Sequence, residues 1–238
     1  MGQQHTYQLT RQLALSIQLK DQATMENFNW GKHALLQQHL QLALQGHGER
    51  IIYLWGLPGS GKSHILQACC NAMPPPKSAV YLPLMQLHTL GPALLDGMEE
   101  QPFLALDDIH AISENPLWEQ ALFHLYNRVR DRGQSTLIIS GDTAPANIKL
   151  KLPDLRTRLS GGLVFQLHEL DDDEKIKTLQ RHAEKRGIEL PTTVGQFLLN
   201  RCARNMHDLH SILDRLDQAS LAAQRKITIP FVKTILKL

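Results

Sequence analysis

The octapeptide Gly56-Leu57-Pro58-Gly59-Ser60-Gly61-Lys62-Ser63 constrains this chain more than any other stretch. It satisfies G-x-x-x-x-G-K-[ST] and lies between an apolar run at 51–55 and a helical pattern. A glycine-rich turn in that position aims successive backbone N–H groups into one concavity, which suits a phosphate chain. The geometry predicts phosphates against Pro58, Gly59, Ser60, Gly61, Lys62 and Ser63, with Lys62 reaching the β- and γ-phosphates and the Ser63 hydroxyl on Mg²⁺. The expected ligands are therefore ADP or ATP with Mg²⁺.

Further strand-like runs follow at 79–82, 103–106, 136–140 and 163–167, alternating with helical patterns. That alternation predicts an α/β domain with a mostly parallel sheet. The run at 103–106 delivers Asp107 and Asp108 at its carboxyl end, where ligands of such sheets collect. Asp107 is the candidate for Mg²⁺ and Asp108 for polarising an attacking water; a turn or helix cap is the plain structural alternative. Asn115 as N-cap and Pro116 as first residue open a helix closed by Gly133. Breaks fall at Pro74-Pro75-Pro76 and Pro153. From Asp171 onward the strand signal ends, and an acidic first turn, Asp171 to Glu174, opens a run of helices expected near 192–202, 206–224 and 230–238. The expected organisation is a tail over 1–22, an α/β domain over 23–168 and a helical domain over 169–238.

Composition excludes several classes. With 25 Lys+Arg against 23 Asp+Glu, the net charge of +2 is too small to supply alone the several phosphate contacts of a nucleic-acid binder. The 3 cysteines show no metal-ligand spacing and suit a reducing compartment. The Gln-rich start lacks the pattern of a signal peptide, and no apolar run approaches the roughly 20 residues of a membrane span. Met1-Gly2 with Thr6 fits a loose acylation pattern but lacks the second signal that stable anchoring needs. A cytoplasmic protein is expected.

The phosphate loop, the acidic strand end and the strandless helical region together resemble the DnaA type of the AAA+ family. Local strings carry the resemblance: Phe28-Asn29-Trp30-Gly31-Lys32 on the adenine side, Leu106-Asp107-Asp108-Ile109-His110, Ser140-Gly141-Asp142, and Pro153-Asp154-Leu155-Arg156-Thr157-Arg158-Leu159. The resemblance implies a P-loop AAA+ domain with a parallel five-stranded sheet, followed by a small all-helical lid domain. It makes Asp142 a nucleotide sensor and Arg158 an arginine finger acting in trans. His207 stands where the family's second sensor presents Arg, and an unperturbed imidazole is mostly uncharged at neutral pH. Initiators of this type continue into a helix-turn-helix domain, whereas this sequence ends at Leu238.

The stretch Gln12-Leu13-Ala14-Leu15-Ser16-Ile17 is similar to the peptides by which bacterial proteins bind the replicative sliding clamp. In an extended peptide, Leu13, Leu15 and Ile17 fall on one side and the Gln12 amide can donate and accept. Periodicity alone fits an edge strand equally well; the position ahead of the module favours the peptide. With the family resemblance, it implies a regulator of replication initiation seated on the DNA polymerase III sliding clamp (beta subunit), which makes ATP-bound DnaA hydrolyse its ATP. DNA is then met only through the clamp, no membrane is involved, and a homodimer stays open. Such a regulator is not itself an enzyme, although weak ATP hydrolysis is compatible with it. The alternatives are a self-sufficient ATPase such as a helicase loader and a passive module that keeps nucleotide as a structural ligand.

Overall fold

The computed structural model describes residues 19–20, 23–76 and 78–238, and of His207 the backbone only. The strands are β1 Ile51–Trp55, β2 Ala79–Pro83, β3 Phe103–Asp107, β4 Thr136–Gly141 and β5 Leu163–Gln166. They form a 5-stranded sheet in the order β2-β3-β4-β1-β5, parallel throughout. β1 keeps the bounds of its apolar run, and the other four strands end one residue away from theirs because pairing decides the ends: Pro83 pairs with Asp107 and Trp55 with Gly141. The helices are α1 Ala34–Leu44, α2 Lys62–Asn71, α3 Leu84–Leu87, α4 Pro116–Arg132, α5 Pro153–Ser160, α6 Asp172–Glu184, α7 Thr192–Arg201, α8 Met206–Ala223 and α9 Ile229–Leu236.

Both faces of the sheet are covered, which explains why its strands read as continuous apolar runs. Ile51, Tyr53, Leu104, Leu106, Leu137 and Ile139 pack with Trp118, Leu122 and Leu125 of α4 on one face. Ile52, Leu54, Phe103, Ala105 and Ile138 pack with Ile65 and Leu66 of α2 and Leu36 and Leu40 of α1 on the other. A third core, from Ile176 to Val232, is built from the C-terminal helices alone, with Leu179, Leu198, Leu209 and Leu213 fully buried. This region is the all-helical lid.

Local chemistry sets the helix ends. The Asn115 side chain accepts from the N–H groups of Leu117 and Trp118, Pro116 takes the first position, and Gly133 closes α4 at φ 60°. Asp171 and Glu174 form a reciprocal capping box at α6. Among the helices not named in the sequence expectations, α1 and α5 show why. In α1, Leu36, Leu40 and Ala43 form a buried stripe beneath a Gln-rich surface. Pro153, expected only as a break, is the first residue of α5, where its missing N–H has no partner to lose. The last helix begins at Ile229, behind a Thr228 cap, and stops at Leu236 because Lys237 turns left-handed at φ 57°.

Replacing Asp171 with Ala removes one half of the capping box and is expected to cost the lid about 1 kcal/mol. Urea unfolding followed by helical circular dichroism checks this; an unchanged midpoint would show that the box adds nothing.

Candidate nucleotide site

A parallel sheet brings all its carboxyl ends to one edge, and here they open on a cavity of about 800 Å³. Residues 58–63 follow β1, Met85 follows β2, Asp108 follows β3, Asp142 follows β4 and His168 follows β5; all line the cavity. The lid closes the other side with Thr178 and His182 of α6 and Met206, His210 and Asp214 of α8. Asn27, Phe28 and Asn29 complete the wall ahead of α1.

The loop needs its glycines for two reasons. Gly59 and Gly61 sit at φ +85° and +95°, where side chains are strained, and a Cβ on Gly61 would come 2.6 Å from Phe28 Cε2. A Cβ on Gly56 would lie 2.3 Å from the Leu167 carbonyl oxygen. Lys62 Nζ donates to the carbonyls of Gly56 at 2.7 Å and Leu57 at 3.1 Å. Burial pushes the Lys62 ammonium down, and Asp108, Asp107 and Asp142 oppose that shift. Ser60 Oγ is buried without a hydrogen-bond partner among the described residues. A buried cation, an orphaned hydroxyl and a glycine cradle fit a phosphate group.

The acidic residues divide into a recessed one and a facing one. Asp107 is 1% exposed and does not line the cavity; its Oδ2 accepts from the Tyr81 hydroxyl at 2.6 Å and its Oδ1 from Ser140 Oγ. Asp108 lines the cavity in a left-handed conformation at φ 59°, its N–H donating to Ser140 Oγ at 2.9 Å. Burial first, then the neighbouring Asp107, raises the Asp108 carboxyl above the usual range. Asp142 is half-exposed, with Oδ1 4.0 Å from His110 Nδ1.

Arg158 stands apart. It lies on α5 and does not line the cavity, and its side chain makes no hydrogen bond or ion pair with the described residues. Its charge is felt instead at Tyr126 of α4, together with that of Arg130. His207 is in the first turn of α8, but its side chain lies outside the described residues, as do Gln12, Leu13, Leu15 and Ile17.

Residues 172–236 match the model of the Hda lid domain, and residues 93–166 match the model of the bacterial DnaA ATPase domain. The chain is an AAA+ protein of the Hda/DnaA type. Solved structures agree on the fold. Domain III of the Thermotoga maritima replication initiation protein DnaA aligns with a TM-score of 0.76 at 22% identity, over 93% of this chain and 98% of that one. AMPPCP-bound DnaA from Aquifex aeolicus aligns with a TM-score of 0.69 at 24% identity, over 82% of this chain and 65% of that one. A replication initiator DnaA bound to AMPPCP and single-stranded DNA aligns with a TM-score of 0.69 at 22% identity, over 87% and 69%. An Hda lid joined to a DnaA-like AAA+ core fits a DnaA-related replication regulator. Among the described residues no helix is long and apolar enough to cross a membrane.

Sequence reasoning missed the histidines that join this AAA+ core to its lid. His182 of α6 stacks on His210 of α8 with centroids 4.4 Å apart and planes at 26°. A carbonyl only accepts, so His182 Nε2 donates to Asn27 O at 3.3 Å, and His64 Nε2 of α2 donates to Thr24 O at 3.1 Å. Burial lowers all three imidazoles, most of all His210, pushed down to about 3 with His182, His64, Arg186 and Lys20 adding to the effect. Lone histidines tens of residues apart carry no periodic signal, so only the fold could reveal the cluster.

The linkage has a definite sign. His210 binds its proton less readily folded than unfolded, so between an unfolded value near 6.5 and about 3 the unfolded state holds more protons. Its stabilising effect is complete above pH 6.5 and is lost as pH falls. Lowering the pH from 7 to 5 is expected to weaken the fold by on the order of 1–2 kcal/mol through this residue, and His210→Phe should flatten the dependence. Melting temperatures at both pH values check this; equal slopes for both proteins would contradict it.

Proposed function

We propose that this chain is a regulator of replication initiation that holds ADP or ATP with Mg²⁺ between its core and lid and offers Arg158 to ATP bound on DnaA. The observation that supports this most is the contrast between Lys62, buried inside the chain's own cavity, and Arg158, unpaired and outside it. A guanidinium so placed suits a neighbour's nucleotide rather than its own. Supplied by a partner, such a group is worth about 10³–10⁵ in rate in other phosphoryl-transfer systems.

In the chain's own site, Lys62 exchanges the Gly56 and Leu57 carbonyls for phosphate oxygens, while residues 58–63 wrap the phosphate chain. Ser63 would hold Mg²⁺ and the recessed Asp107 would serve it through water, and the ion would supply charge neutralisation at the phosphates. Asp108 faces the cavity as the group that would orient water, with Asp142 and His207 as sensor positions. The domains run over 1–22, 23–168 and 169–238. Gln12, Leu13, Leu15 and Ile17 bind the DNA polymerase III sliding clamp, which brings the regulator to DNA in the cytoplasm and leaves a homodimer compatible.

Asp108 beside an intact phosphate loop favours a second reading, a self-sufficient ATPase. Steady-state turnover by the protein alone separates the two: slow turnover that is unchanged in Arg158→Ala is expected of the regulator.

Two experiments test the proposal. ADP at a hundredfold excess over its dissociation constant should stabilise the native protein by about 2.7 kcal/mol and Lys62→Ala far less, read as melting shifts; equal shifts would remove the loop from the site. ATP hydrolysis by DnaA with DNA-loaded clamp should rise with the native protein and stay at its basal rate with Arg158→Ala, while clamp and ADP binding are retained. Full stimulation by Arg158→Ala would refute the finger.

A further inference from the structure

The hydrogen bonds around Asp107 have a direction that can be worked out from their ends. The Lys20 backbone N–H can only donate, and it donates to Gln67 Oε1 at 3.1 Å. That fixes the amide, so Gln67 Nε2 donates to the Tyr81 hydroxyl oxygen at 3.2 Å. The hydroxyl proton of Tyr81 is then free to go to Asp107 Oδ2, 2.6 Å away. On the other side the Asp108 backbone N–H donates to Ser140 Oγ at 2.9 Å, which sends the Ser140 proton to Asp107 Oδ1. Two relays, each started by a backbone N–H, converge on one carboxylate. Gln67, Asp107 and Ser140 are buried and Tyr81 is half-buried, so the bond from Ser140 to Asp107 is shielded from water and those through Tyr81 are shielded in part.

We infer that Tyr81 is a positioning residue for the Mg²⁺-serving carboxylate, aimed by Gln67, and that this aim is anchored in the segment at Lys20. The inference rests on the proposed role of Asp107 toward Mg²⁺. A carboxylate that accepts at both oxygens is held as an acceptor with one orientation, which suits a fixed charge near a cation rather than a proton carrier. The relay also joins elements far apart in the chain: Lys20 ahead of the core, α2, β2 and the end of β3.

The test measures the affinity of fluorescently labelled ADP for the full chain with Mg²⁺ and with EDTA, and takes the ratio as the Mg²⁺ enhancement. Tyr81→Phe keeps the ring and loses the donor; the enhancement is expected to fall about tenfold or more while affinity in EDTA stays within about twofold. Gln67→Met should lower it in the same direction and less, and it decides the matter if Tyr81→Phe does not fold. An undiminished enhancement in Tyr81→Phe, or an equal loss in EDTA that marks a merely structural role, would overturn the inference. Asp107→Asn separates the two levels: if it keeps the full enhancement, the assignment of Asp107 to Mg²⁺ fails, and if it alone loses it, only the role of Tyr81 fails.

Discussion

A parallel sheet buried on both faces is the constraint from which the site follows. Parallel strands need crossovers, the crossovers cover both faces, and every strand then ends at the same edge. At that edge β1 hands over to the glycine loop, β3 to Asp107 and Asp108, and β4 to Ser140 and Asp142. Residues separated by some eighty positions in sequence meet without any helix or loop having to reach for them. The lid, with its own core, adds the opposite wall.

The electrostatics of the edge are arranged as opposites. A buried ammonium rests on two carbonyls of its own loop, a weak substitute for a phosphate, and three carboxylates lie close enough to influence it. Asp107 is tied at both oxygens and recessed, whereas Asp108 is strained into a left-handed turn and faces the cavity. Two adjacent acids thereby gain different surroundings, one suited to holding a cation and one to meeting a water molecule. Backbone strain kept at such a position is a mark of functional sites.

Much of this was legible in the sequence, for physical reasons. Strands buried on both faces read as apolar runs, so all five appeared; Asn115, Pro116 and Gly133 carried their capping roles openly; and the acids of the first turn of α6 announced a helix start. The loop was legible because its chemistry is local. What stayed hidden depends on contacts between distant residues. Helix α1 escaped because its stripe of Leu36, Leu40 and Ala43 is short and lies among glutamines, ahead of the first strand. Phe28 against Gly61, the stacked His182 and His210, and the path from Lys20 through Gln67 and Tyr81 to Asp107 join elements whose meeting no period encodes.

The proposed division of labour between Lys62 inside the cavity and Arg158 outside it is tested most directly by a structure of this chain with ADP in complex with DnaA carrying AMPPCP. The expected structure has Lys62 on the phosphates of the chain's own nucleotide and the Arg158 guanidinium within hydrogen-bond reach of the γ-phosphate bound to DnaA. An Arg158 turned toward its own nucleotide, or a DnaA docked on another face with Arg158 in solvent, would contradict it.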